Sequence, residues 1–232
     1  MTVLHPTGVN HLALSTRDMK TQLTFWSDVM GCAVKALYWM HGVEDTFHGF
    51  VELSGESYIA FVQHPDNAGE ITLGVTHAGN AAGPVTAGTM QHVALHADSF
   101  DDLLALRDRI RAKGVQVMGP IDHGMLQSIY FGGPEGLALE VTTGSDIPAN
   151  QWIDPEVVDL CGISDAELDA LKNPEPYASQ GGGVAQPNRD AWPNATLLPV
   201  ERHDATMAIP DEVAWERLSE TTPPVRTESG PA

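Results

Sequence analysis

Two stretches of the chain repeat each other, and that repeat constrains the fold more than any other feature. Val9-Asn10-His11-Leu12-Ala13-Leu14 returns as Met90-Gln91-His92-Val93-Ala94-Leu95, an offset of 81 residues. Gly31-Cys32-Ala33-Val34 returns as Gly114-Val115-Gln116-Val117, an offset of 83. Two matches in one order at nearly one spacing mean two copies of one supersecondary unit.

Each copy opens with a short apolar strand, residues 10–15 or 91–97, and continues into an amphipathic helix. In the first copy Asp18 caps the helix, Met19, Leu23, Trp26 and Met30 form its inner stripe, and Gly31 ends it. In the second, Asp98 or Ser99 caps, Phe100, Leu103, Leu106 and Ile110 face inward, and Gly114 ends it. Three strands follow in each: residues 33–39, 46–53 and 57–63, then 116–120, 126–131 and 137–143, with hairpin turns at 54–56 and 132–136. The pattern predicts an α+β chain of two tandem βαβββ modules, residues 7–64 and 89–143, joined by a linker, 65–88.

The rest, residues 144–232, reads as an extension of short helices and coil, an arm or a lid. Eleven of the 16 prolines fall there, and repeated proline blocks long helices and central strands. A helix over 154–172 that breaks near Gly162, a Gly181-Gly182-Gly183 run and a short helix over 211–219 are expected. The whole chain carries 12 Lys+Arg against 31 Asp+Glu, a net of −19, which repels phosphate backbones and anionic lipid. No apolar run is long enough for a membrane span, and no secretory signal is visible at Met1. With only Cys32 and Cys161 there is no disulfide framework. A cytoplasmic protein that binds neither nucleic acid nor membrane is expected.

Three residues stand out by position. His11 and His92 are repeat-equivalent, and with 10 His in 232 residues chance alone places such a match about 4% of the time. A lone strand histidine is usually a packing residue, but a repeated one points to a paired role. In Leu137-Ala138-Leu139-Glu140-Val141, alternation sets Leu137, Leu139 and Val141 on one face and Glu140 on the other, toward the hollow of the sheet.

These residues resemble the vicinal oxygen chelate superfamily, which includes glyoxalase I, methylmalonyl-CoA epimerase, fosfomycin and bleomycin resistance proteins and type I extradiol dioxygenases. The resemblance covers residues 7–143. It rests on Gly8 to Leu14, on Gln91 to Leu95, and on the run from Asp122-His123-Gly124 through Ser128-Ile129-Tyr130-Phe131 to Pro134-Glu135-Gly136 and Glu140. It implies two modules forming a half-closed barrel around a divalent metal, with His11, His92 and Glu140 as ligands, and a homodimer. Two imidazoles and a carboxylate suit iron(II), and the same set takes Mn, Ni, Co or Zn.

Within that family, Tyr130, ten residues before Glu140, resembles a tyrosine that hydrogen-bonds substrate, and His123 resembles a pocket histidine. The implied reaction is an extradiol-like oxygenation of a small, catechol-like chelating substrate. Alternatives are a glyoxalase- or epimerase-type lyase or isomerase, and a metal-free binding or resistance protein. Isomerases of the glyoxalase type use a further Glu in the last strand of the first module. Here its place falls on Phe61, or on Ala60 after a one-residue slip, and Gln63 shares the parity of Phe61. Ring-cleaving enzymes place an acid–base His where this chain has Ser57 or Tyr58; His48 substitutes only if it turns inward.

Overall fold

A computed structural model describes residues 4–144, 146–178, 181–192 and 195–225. The repeat becomes two four-stranded mixed sheets, neither closed on itself. The first holds β1 (His11–Thr16), β2 (Val34–Trp39), β3 (Phe47–Ser54) and β4 (Ser57–Gln63), in the order β1-β4-β3-β2. The second holds β5 (Val93–His96), β6 (Val117–Asp122), β7 (Gln127–Gly132) and β8 (Ala138–Thr143), in the order β5-β8-β7-β6. In each sheet the opening strand pairs parallel with the fourth and so lies at an edge.

The helices follow the predicted caps. Helix α1 (Met19–Thr24) begins at Asp18, whose side chain accepts from the Thr21 amide. It passes into a π turn, Phe25–Val29, closed by Met30 N–H to Phe25 O at 3.2 Å. The extra residue in that turn brings Val29 inward with Trp26 and Met30, which the 3.6-residue stripe did not foresee. Helix α2 (Phe100–Ala112) is capped by Ser99. Its stripe narrows to Leu103 and Ile110, whereas Phe100, expected inside, sits at the open first turn and is 43% exposed.

Both helices and the helix-facing sides of both sheets feed a single apolar cluster. Leu14, Trp26, Val51, Ile59 and Phe61 come from the first module, and Leu95, Leu103, Ile110, Ile129 and Leu139 from the second. Burying a side chain of this size is worth about 1.5–3 kcal/mol, so the modules are held together by their helix sides. Two polar clamps fix the junction. Arg109 on α2 donates to Val29 O at 2.8 Å and Asp28 O at 2.9 Å, satisfying carbonyls at the end of the π turn. Glu135, in the β7–β8 turn, accepts from Thr16 Oγ1 (2.6 Å), Arg17 N (2.7 Å) and Gln22 Nε2 (2.7 Å). Its φ of 55° lies in the left-handed region, a conformation that costs a Glu energy and that these three donors hold.

The compact unit containing both modules runs His5–Pro174, and a second unit begins at Glu175. The first unit therefore also takes in α3 (Ala149–Trp152), α4 (Pro155–Leu160) and α5 (Asp165–Lys172), so the predicted helix over 154–172 is split around Gly162. The second unit has a 3-10 turn, Arg189–Ala191, and helices α6 (Val200–Met207) and α7 (Asp211–Leu218). An ion pair between Arg189 and Asp204 at 2.8 Å joins its turn to α6. Helix α6 was not foreseen. It and α7 start directly after Pro199 and Pro210, where proline opens a helix rather than breaks one. Among the described residues no helix is long and apolar enough to cross a membrane.

Burial raises the Glu135 carboxyl, but the hydrogen bonds from Thr16, the Arg17 amide and Gln22 outweigh it and hold its pKa below the ordinary value. A depressed carboxylate contributes stability above its unfolded pKa and loses it as pH falls through the folded one. Glu135→Gln is therefore expected to cost about 1–3 kcal/mol near neutral pH. In urea unfolding, the gap from wild type should close as the solution is acidified.

Candidate metal centre

Strand register fixes which side chains share the hollow of the second sheet. Glu140 lies opposite Ala94 on β5 and opposite Tyr130 on β7. His92, two residues before Ala94, is on the same side, and its Nε2 is 3.0 Å from Glu140 Oε2. Glu140 is only 6% exposed. The other imidazole nitrogen, Nδ1, meets Gln91 Oε1. Two donors each about 2.1 Å from one ion and at right angles stand about 3 Å apart. The His92–Glu140 pair is a direct ion-pair contact, and its spacing also matches that of two neighbouring ligands of a divalent ion.

His11 is not with them. It is exposed at the start of β1, opposite Tyr58, with its ring 5.5 Å from Phe50 and Nδ1 2.9 Å from Asn10 Oδ1. Among the described residues no three His, Cys, Asp or Glu side chains converge on a metal position. The modules join through their helix sides, and both opening strands present their hollow sides outward: His11, Ala13 and Ser15 on β1, Ala94 and His96 on β5 are all exposed.

Tyr130 and His123 do come together: Tyr130 Oη is 2.9 Å from His123 Nε2. A turn holds His123, with its amide on Leu126 O at 2.8 Å and the Gly124 amide on Asp122 Oδ1 at 2.7 Å. The pair lines a cavity of about 470 Å³ with Met118, Ile121, Asn80 and Ala82, so the linker supplies one wall. Burial pushes the Tyr130 phenol above its ordinary pKa; the Glu140 charge adds to the rise and Ser128 opposes it.

The hollow of the first sheet is different. Ala13 pairs with Ala60, so the place matching Glu140 is Ala60, not Phe61. Phe61 faces the core. Gln63, on that same side, accepts from the Met19 amide at 2.8 Å and caps α1 instead of reaching into the hollow. His48 does turn inward. Its ring is 4.5 Å from Phe50 and 5.8 Å from Tyr38, whose Oη is 3.4 Å from His48 Nδ1. Burial first, and His11 second, lower its pKa below the ordinary histidine value. Sequence reading missed this aromatic lining of Tyr38, Phe50 and Tyr58. Alternation along β3 carries the signal, but only once its register with β4 is known.

A model of the Glyoxalase/Bleomycin resistance protein/Dioxygenase superfamily matches residues 8–141. The chain is 35% identical over 69 residues to biphenyl-2,3-diol 1,2-dioxygenase 2 of Rhodococcus globerulus, a match spanning 30% of this chain and 36% of that protein. It thus covers about a third of that relative. Among solved structures, a glyoxylase/bleomycin resistance protein/dioxygenase domain from Frankia sp. EAN1pec aligns with a TM-score of 0.49 at 17% identity, covering 61% of this chain and 100% of that one. A fosfomycin resistance protein, FosX, from Listeria monocytogenes, complexed with Mn(II) and sulfate, aligns with a TM-score of 0.41 at 18% identity, covering 61% and 95%.

The environment of Tyr130 sets a measurable expectation. An ultraviolet difference titration of wild type against Tyr130→Phe should show a phenol that ionises above the ordinary tyrosine value of about 10. Glu140→Gln, which removes the neighbouring charge, should move that step downward.

Proposed function

The chain belongs to the Glyoxalase/Bleomycin resistance protein/Dioxygenase superfamily, and within it we propose a metal-dependent dioxygenase for a catechol-like substrate, its site shared between two copies of the chain. The observation that carries this reading is the His92–Glu140 pair at 3.0 Å beside the Tyr130–His123 pair at 2.9 Å. The partial identity to a biphenyl-diol dioxygenase supports the same reaction class. The absence of a carboxylate at Ala60 removes the second glutamate that a glyoxalase-type proton transfer uses.

His92 and Glu140 of one copy and the partner's His11 would form the donor set, and iron(II) fits two imidazoles and a carboxylate. An ion held there supplies Lewis acidity to two adjacent substrate oxygens and, as iron(II), a means of handling dioxygen. The other roles belong to the chain. Tyr130 positions a substrate hydroxyl by hydrogen bonding and passes its proton to His123, which is exposed and can release it to solvent. Met118, Ile121 and Leu139 make the cavity wall apolar and limit water around the ring. The two free cysteines fit a reducing, cytoplasmic setting.

The outward-facing hollows support a homodimer as part of the same proposal. Among the described residues, strands β1 and β5 are edge strands paired on one side only, with exposed hollow sides. A two-fold axis setting β1 of one copy beside β5 of the other would cover both edges and bring the partner's His11 toward His92.

Two measurements test the reading. Protein loaded anaerobically with iron(II), then given catechol and air, should consume oxygen and form a yellow ring-opened product; fully loaded protein that consumes none overturns the reaction class. His11→Ala and His92→Ala should each abolish metal binding alone. Mixed and allowed to exchange subunits, they should recover about a quarter of wild-type metal content, because half of the dimers are mixed and each has one intact site. A site built within one chain would recover nothing.

A further inference from the structure

We propose that Gln91 is a positioning residue that fixes the tautomer of His92 and ties this imidazole to the linker wall of the cavity. This rests on the reading of His92 as a metal ligand.

The orientation of the Gln91 amide is set by what surrounds it. Its nitrogen donates to Asn80 O at 3.0 Å and Gly83 O at 3.1 Å. The end that meets His92 Nδ1 is therefore the amide oxygen. An amide oxygen only accepts, so Nδ1 must carry the hydrogen. Nε2, 3.0 Å from Glu140 Oε2, shares a hydrogen with that carboxylate in the metal-free chain and is the nitrogen an ion would take in its place. A ligand histidine anchored through its other nitrogen is held in ring orientation and in basicity.

The repeat supplies an independent observation. Asn10 occupies the place of Gln91 in the first module, and its Oδ1 is 2.9 Å from His11 Nδ1. A carboxamide thus precedes each of the two histidines and meets the same ring nitrogen. Gln91, one methylene longer than Asn10, also reaches the linker.

The linker segment it reaches is tightly built. Gly83 N–H donates to Asn80 O at 3.1 Å, and Ala82 N–H to Asn80 Oδ1 at 2.9 Å. A Cβ added at Gly83 would lie 2.0 Å from Ala78 O, so this turn accepts only glycine without moving. Residues 79–82 line the cavity that also holds Tyr130 and His123. Whatever displaces the turn displaces the two carbonyls that orient Gln91, and with them the anchor of His92. Occupancy of the cavity and the geometry of the ligand are coupled through one side chain.

The test uses the full chain labelled with 15N-histidine, without metal, and long-range proton–nitrogen correlation to read the tautomer of His92. Mn(II) titration calorimetry is run alongside. With acceptors at both ring nitrogens, wild type is expected to hold a hydrogen on Nδ1 alongside the one Nε2 shares with Glu140. Gln91→Met should lose the Nδ1 hydrogen in favour of Nε2–H donated to Glu140, with Mn(II) affinity lower by about 10–100-fold. Gln91→Glu keeps an acceptor at Nδ1 but cannot donate to the linker carbonyls. It should retain the tautomer while amide hydrogen exchange at residues 80–83 speeds up. Gly83→Ala, which touches no ligand, should weaken Mn(II) binding severalfold. An unchanged tautomer in Gln91→Met, with affinity within twofold of wild type, overturns the positioning role; unchanged exchange in Gln91→Glu overturns the coupling. Wild-type protein that binds no Mn(II) would refute the metal reading, while the tautomer result would still decide the role of Gln91.

Discussion

The packing of α1 and α2 into one apolar cluster determines the rest of this molecule. Trp26, Leu103 and Ile110 are fully buried there. Because the modules spend their helix sides on each other, their hollow sides face outward. Arg109 and Glu135, both from the second module, reinforce this choice, one by capping carbonyls and the other by gathering donors around α1. The arrangement that stabilises the single chain is thus the one that separates His11 from His92.

The polar groups of the second hollow form a graded set. Glu140 is buried, His92 and Tyr130 stand half-buried beside it, and His123 reaches solvent. Such an order suits a site where charge is held deep and protons leave at the rim. The first hollow contributes aromatic surface instead, with Tyr38 and Phe50 rings stacked at 6.3 Å and Tyr58 edge-on to Phe50.

Much of this was legible in the sequence because the repeat made two weak patterns into one strong one. Strand parity placed Tyr130 beside Glu140, and Asp18, Ser99, Gly31 and Gly114 marked the helix ends. Four things were not legible, each for a physical reason. The π turn changes helical phase without any residue that signals it. The face presented by Gln63 depends on register between strands far apart in sequence. The partners of Gln91 lie in a linker whose Gly, Ala and Thr composition says nothing of its path. The separation of His11 from Glu140 was also beyond reach, since periodicity describes each module and not how two modules meet.

The replacement of a second carboxylate by Ala60 has an electrostatic consequence. Two neutral imidazoles and one ionised glutamate would leave a dication with one unit of uncompensated positive charge. On a chain whose net charge is −19, that spot would be a local electropositive well in an anionic surface. An anionic guest would find it the most favourable place to dwell, and a cationic one would be turned toward the outer surface instead.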